Sequence, residues 1–217
     1  MSAAQAAAGT AVATTSQELT SLAFAPAPTP RRRRHLFVGT GFAVVGVMMY
    51  FATLFGIYFT ERASFSKANE GQSWIPSSAN LQLTAPTMIF WTLLLSIITM
   101  QWAIHAAARQ DRRHLLLAVV VTGLFGVAII NQMAFIFVQM ELVIDDGSLA
   151  APLIYTICGS FVALVAAALI FLTIMAFRSL GGQSMRHTAD GLSAVALLWY
   201  AMVLVYFILW IGIFVTK

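Results

Sequence analysis

The sequence predicts an all-α integral membrane protein, a bundle of five transmembrane helices with its amino terminus in the cytoplasm and its carboxyl terminus outside. Composition and the spacing of apolar runs carry the fold class. Of 217 residues, 60% are apolar and 9% are charged, and the mean hydropathy is +0.85. A soluble domain carries about 25% charged residues, so a soluble enzyme is excluded. Apolar runs long enough to cross about 30 Å of hydrocarbon, at about 1.5 Å per residue, cover roughly 36–59, 86–108, 115–140, 151–177 and 191–215. None shows the alternating polarity of a barrel strand, so a transmembrane barrel is excluded.

The orientation rests on basic residues. With the amino terminus inside, the inner segments hold Arg31 to Arg34, Arg109, Arg112, Arg113, Arg178 and Arg186, and the outer side holds only Arg62, Lys67 and Lys217. Cytoplasmic loops are the ones that accumulate Lys and Arg. The basic excess is thereby a topology signal, and no nucleic-acid partner is implied.

In chain order, residues 1–34 are rich in Ala, Thr, Ser and Pro and end in the run Arg31 to Arg34, which predicts a disordered cytoplasmic tail. Residues 35–217 form the membrane domain. The apolar run after the arginines is too long for a signal h-region and lacks a small-residue cleavage site, so it is read as a retained first helix and not as a twin-arginine export signal. An outer segment from Thr60 to Ala85 follows, with Trp74, Ile75 and Pro76. The later connections are short and force neighbouring helices antiparallel. No internal repeat is evident, and five helices cannot form two inverted halves, which weighs against a repeat-type transporter.

Ionisable groups inside a bilayer mark proton and ion paths. Here the span interiors hold only His105, near the inner end of span two, while His35 and His114 flank spans and His187 lies in an inner loop. Four scattered histidines provide neither paired haem ligands nor a copper site. The single cysteine, Cys158, excludes a disulfide framework, a Cys-based zinc site and an iron–sulfur cluster. The chain is therefore expected to contain no catalytic residue and to bind no cofactor or metal. Glu141, Asp145 and Asp146 match no calcium loop and read as a solvated outer loop.

The polar groups within the spans are uncharged: Ser96, Thr99 and Gln101 on span two, Asn131 and Gln132 on span three, with Gln139 further out. Unsatisfied amides cost several kcal/mol in hydrocarbon, so Asn131 and Gln132 are expected to bond a neighbouring helix or a partner subunit. Gly159, Ala163 and Ala167 recur at steps of four on span four, a small-residue stripe expected to pack tightly within the chain or against a partner. Trp102, Trp199 and Trp210 are expected at interfaces or against lipid.

The order of segments resembles subunit III of haem–copper terminal oxidases, in the five-helix form of several bacterial oxidases. The segment Tyr50 to Ala63, YFATLFGIYFTERA, is similar to the family's FF-x-x-LF-x-x-Y-x-x-x-R helix end. Trp74, Ile75 and Pro76 resemble its W-P-P. LLLSIITMQWAIHAAARQD is similar to LLxSSxTxxxAxxAxxxGD, with Ser96, Thr99, Ala103 and Asp111 in comparable places. Thr122 and Gly126 resemble T-x-x-x-G, and the stretch from Trp199 to Trp210 resembles the final helix. The ionisable family positions are replaced: Val47 stands for a glutamate, Ile136 or a neighbour for the acid of Q-x-x-E-Y after Gln132, GSFVALV for the paired histidines of G-F-H-G-L-H, and Tyr200 and Val203 for His and Asp.

The resemblance implies a non-catalytic integral subunit of a respiratory oxidase in a bacterial plasma membrane. Its implied partners are the catalytic subunit I, which would hold haem and copper, the other oxidase subunits, and structural phospholipid. It also implies that the first two helices and the last three form two groups around a lipid-filled cleft. Arg109, Arg112, Arg113 and Arg178 would then lie near the lipid headgroups on the cytoplasmic side. An accessory protein of a nitric oxide reductase or an oxidase assembly factor is the alternative within the same scaffold, and a small transporter is the alternative outside it.

Overall fold

The computed structural model describes residues 35–69, 72–75, 82–140, 149–181 and 185–216. The amino-terminal tail, Pro76 and the acidic group Glu141, Asp145 and Asp146 lie outside them. The chain forms α1 (His35–Ala68), α2 (Thr84–Ala108), α3 (Arg112–Gln139), α4 (Ala150–Leu180) and α5 (Met185–Leu209), and a π-helical turn, Trp210–Val215, continues α5. All five helices are long and apolar enough to cross a membrane, and there is no strand among the described residues.

Two boundaries differ from the sequence expectation. Thr60 to Ala68 continue α1 where an outer loop was expected, because this stretch is polar but contains neither Gly nor Pro to stop a helix. At 34 residues α1 is about 50 Å long, well beyond the hydrocarbon thickness. The π turn is the second difference: the Thr216 amide bonds the carbonyl of Ile211, five residues back, at 3.0 Å.

The turn between α2 and α3 shows how local chemistry fixes topology. Gln110 takes a left-handed conformation, φ 61°. This lets the Gln110 amide bond the Ala107 carbonyl at 3.2 Å and the Asp111 amide the Ala106 carbonyl at 3.1 Å, a Schellman end to α2. Asp111 then caps α3, accepting from the Arg113 amide at 3.1 Å and the His114 amide at 3.3 Å. Three residues separate the two helices, which therefore pack antiparallel along their length.

At the centre lies α5, which packs against α1, α2 and α4; α2 packs against α3 and α5, and α1 against α5 and α4. This corrects the expected division into two helix groups with a cleft between them, because α1 and α2 do not form a separate pair. The cause lies in the connections and the polar contacts. The α2–α3 turn ties α2 to α3, and hydrogen bonds tie it to α5.

Glycines set the closest approaches. A methyl group on Gly212 would lie 2.9 Å from Phe59 Cζ of α1, and one on Gly191 would lie 2.7 Å from Met175 Sδ of α4. Such contacts let helices come together where lipid supplies no hydrophobic drive.

Candidate functional site

No group of three or more His, Cys, Asp or Glu side chains that could hold a metal forms among the described residues. His35, His105 and His114 are all exposed.

The uncharged polar residues of α2 form a seam. The Trp199 indole donates to the Ser96 hydroxyl at 2.9 Å, and Ser96 in turn donates to the Leu93 carbonyl at 2.6 Å. Gln101 Nε2 donates to the Tyr200 hydroxyl at 2.5 Å, and Tyr206 donates to the Pro86 carbonyl at 2.7 Å. From α3, Thr122 donates to the Thr99 hydroxyl at 2.8 Å. Four residues later a methyl on Gly126 would lie 2.5 Å from Leu169 Cδ2 and 3.1 Å from Trp199 Cη2. The T-x-x-x-G pair thus joins a hydrogen bond to α2 with a gap that admits α4 and α5. Trp199, expected at an interface, is instead fully buried.

An apolar groove of about 510 Å³ runs between α2 and α5. Phe90, Leu94 and Ile97 line one wall, Val203 and Phe207 the other, and the Gln101–Tyr200 bond supplies its polar group. Tyr200 and Val203 both lie here.

At the far end of α1, Arg62 bonds the end of the chain. Its Nη1 donates to the Thr216 hydroxyl at 3.0 Å and to the Gly212 carbonyl at 3.5 Å, and its Nη2 donates to the Thr216 carbonyl. A guanidinium there satisfies carbonyls that a helix terminus leaves unpaired. Trp74 packs beside it, edge-on to Phe65 at 5.3 Å and to Tyr58 at 6.3 Å.

At the opposite end, Arg109, Arg112 and Arg113 are exposed around the α2–α3 turn, and Arg178 is exposed in the last turn of α4. The His114 ring lies 2.6 Å from the Asp111 carboxylate. This contact, followed by the amide bonds of the cap, holds the Asp111 carboxyl below its ordinary value.

The remaining sequence-selected residues are exposed or half-buried. Asn131 is exposed and Gln132 half-buried, with Gln132 Oε1 buried and unpartnered. Ala163 and Ala167 are exposed, and a methyl on Gly159 would meet nothing within 4 Å. The small-residue stripe therefore makes no tight contact within the chain. The buried face of α4 is a different one, formed by Ile154, Cys158, Phe161, Val165, Ala168 and Leu172. A step-of-four pattern marks a helix face without saying which way it points, and the larger side chains of α4 make the apolar core.

Sequence reasoning missed the part played by Gly126, Gly191 and Gly212 and the hydrogen bonds of Arg62. Gly126 carried a signal, its spacing from Thr122. The others depend on which helices meet, which local pattern does not encode.

Among curated proteins, none matches the chain. The family model described as cytochrome c oxidase subunit III matches residues 19–216, nearly the whole membrane domain and part of the tail. With five membrane-spanning helices in an all-helical bundle, the chain belongs to the cytochrome c oxidase subunit III family.

Proposed function

We propose that this chain is a non-catalytic integral subunit of a respiratory haem–copper terminal oxidase in a bacterial plasma membrane. It packs beside the catalytic subunit I and the other oxidase subunits, stabilises them, and leaves haem and copper to the catalytic partner. Structural phospholipid is its ligand: Arg109, Arg112, Arg113 and Arg178 meet headgroups at the cytoplasmic surface, and the α2–α5 groove takes an acyl chain. The observation that carries this reading is the family match over residues 19–216, joined to the hydrogen bonds by which Ser96, Thr99 and Gln101 of α2 meet α3 and α5.

The test is purification of the tagged chain from its native membrane in mild detergent, followed by mass spectrometry and a haem spectrum. A haem–copper catalytic subunit should be recovered at a fixed ratio. Deleting the chain should leave the haem spectrum of the oxidase intact while activity decays faster during turnover. Recovery without any catalytic subunit, or unchanged turnover after deletion, rejects the proposal.

A further inference from the structure

The outward face of α3 carries a feature that lipid cannot satisfy. Val120, Leu124, Val127, Asn131, Ala134 and Val138 are all exposed and follow one another at alternating steps of four and three, the spacing of a seam that meets a partner helix. All but one are apolar. Asn131 lies eight residues before the end of α3 at Gln139, about 12 Å along the helix axis and therefore within the hydrocarbon. An amide facing acyl chains finds neither donor nor acceptor there.

We propose that this face is the contact between two copies of the chain, with Asn131 of each copy bonded to Asn131 of the other. An amide has two N–H donors and a carbonyl acceptor, so it is its own electrostatic complement. Copies inserted with one orientation hold Asn131 at the same depth, and a two-fold axis along the membrane normal brings each amide opposite its counterpart. A helix of a different subunit would need a polar side chain at that same depth. No charged side chain lies on the seam between Val120 and Val138 to set the copies apart, and Ala134 lets the backbones approach one turn from the amide. One polar position in an apolar seam is the arrangement that fixes register and oligomeric state. The inference does not depend on the oxidase assignment.

Two differently tagged full-length copies are co-expressed, each carrying Val127→Cys, and native membranes are oxidised. Cys158 is fully buried and stays out of the reaction. The expected product is a disulfide-linked dimer bearing both tags, absent when the cysteine replaces exposed Ile174 on α4. Adding Asn131→Leu should lower its yield about tenfold, in line with the strength of an interhelical amide bond in a membrane, whereas Asn131→Gln should retain part of it. Leucine suits a lipid-facing site, and an unchanged Tm of the single variant in detergent verifies that the fold is intact. The proposal is overturned by absence of the doubly tagged dimer, by equal yield from Ile174→Cys, by indifference to Asn131→Leu, or by a Val127→Cys adduct formed only with a different subunit.

Discussion

Trp199 and Ser96 are both fully buried, and the indole of one donates to the hydroxyl of the other across 2.9 Å. Because Ser96 spends its own proton on the Leu93 carbonyl, its oxygen is free to accept, and the pair locks the central helix α5 to α2. Ser96→Ala leaves the indole N–H without a partner in an apolar interior, at a cost of about 1–3 kcal/mol. Trp199→Phe removes the donor as well as part of the packing. The double variant should lose less stability than the two single changes added together, by about 0.6–1.7 kcal/mol. Unfolding in detergent measures the cycle, and strict additivity would show that the bond contributes nothing.

Gly126 and Ala163 are both small residues on spans, and only Gly126 should be sensitive to enlargement. Gly126→Leu drives a side chain into Leu169 and the rigid Trp199 ring, and overpacking of this kind costs about 1–3 kcal/mol. Ala163 faces outward, so Ala163→Leu should leave the stability of the isolated chain within about 0.5 kcal/mol of the parent. Thermal unfolding of the two purified variants separates the cases. A large loss from Ala163→Leu would contradict the outward placement of the stripe.

The five spans were legible in the sequence because length and hydropathy answer to the thickness of the bilayer, whichever helices happen to touch. Ser96 and Thr99 were legible as uncharged polar groups within a span, and Thr122 as part of the T-x-x-x-G resemblance. Which partners they take was not, since Trp199 lies 103 residues from Ser96 and nothing local links them. The stripe of Gly159, Ala163 and Ala167 was legible as a small-residue face, but that it meets no helix of its own chain was not, since small size permits close approach without requiring it. The two-group cleft failed because the pairing of α2 is set by a three-residue turn and by donors on α5.

Asp111 makes stability depend on acid. Its carboxyl is held below the ordinary value by the His114 side chain and by the capped amides, so the folded state favours the carboxylate more than the unfolded chain does. The contribution is present in full above the unfolded value of about 3.9 and is lost as pH falls through the lower folded value. Comparison of the parent with Asp111→Ala in detergent, from neutral pH to about pH 3, should show a Tm gap that is constant near neutrality and closes in acid. A gap that persists unchanged at the acid end would remove the carboxylate from the cap.

Arg62 holds the C-terminal end of α1 against the end of α5 and its π-helical turn. Arg62→Met keeps the aliphatic stem but removes every donor to Gly212 and Thr216. Hydrogen bonds from a charged group are worth about 1.5–3 kcal/mol where water is scarce, and less at this partly exposed site. Amide exchange should speed up in residues 60–68 and 210–216 together, while α2 and α3 keep their protection. Faster exchange in only one of the two segments would mean that the guanidinium does not join them.

The same contact bears on orientation. Gly212 and Thr216 lie beside Arg62 at the end of α1, and Gly191 near the start of α5 lies close to Leu36 at the start of α1, so α1 and α5 run parallel. An odd number of crossings follows, and the start of α1 and the end of the chain face opposite sides. Arg109, Arg112, Arg113 and Arg178 share the side on which α1 starts, because α2 and α4 run back toward it. The excess of arginine there predicts that this side is the cytoplasm. Alkaline phosphatase fused after Lys217 should be active and a fluorescent protein at that position dark, with the reverse for fusions placed in the α2–α3 turn. Since parallel α1 and α5 fix the relative sides and arginine fixes only which is inner, a complete reversal would reject the charge argument alone. Equal signals from both positions would reject the five-crossing fold itself.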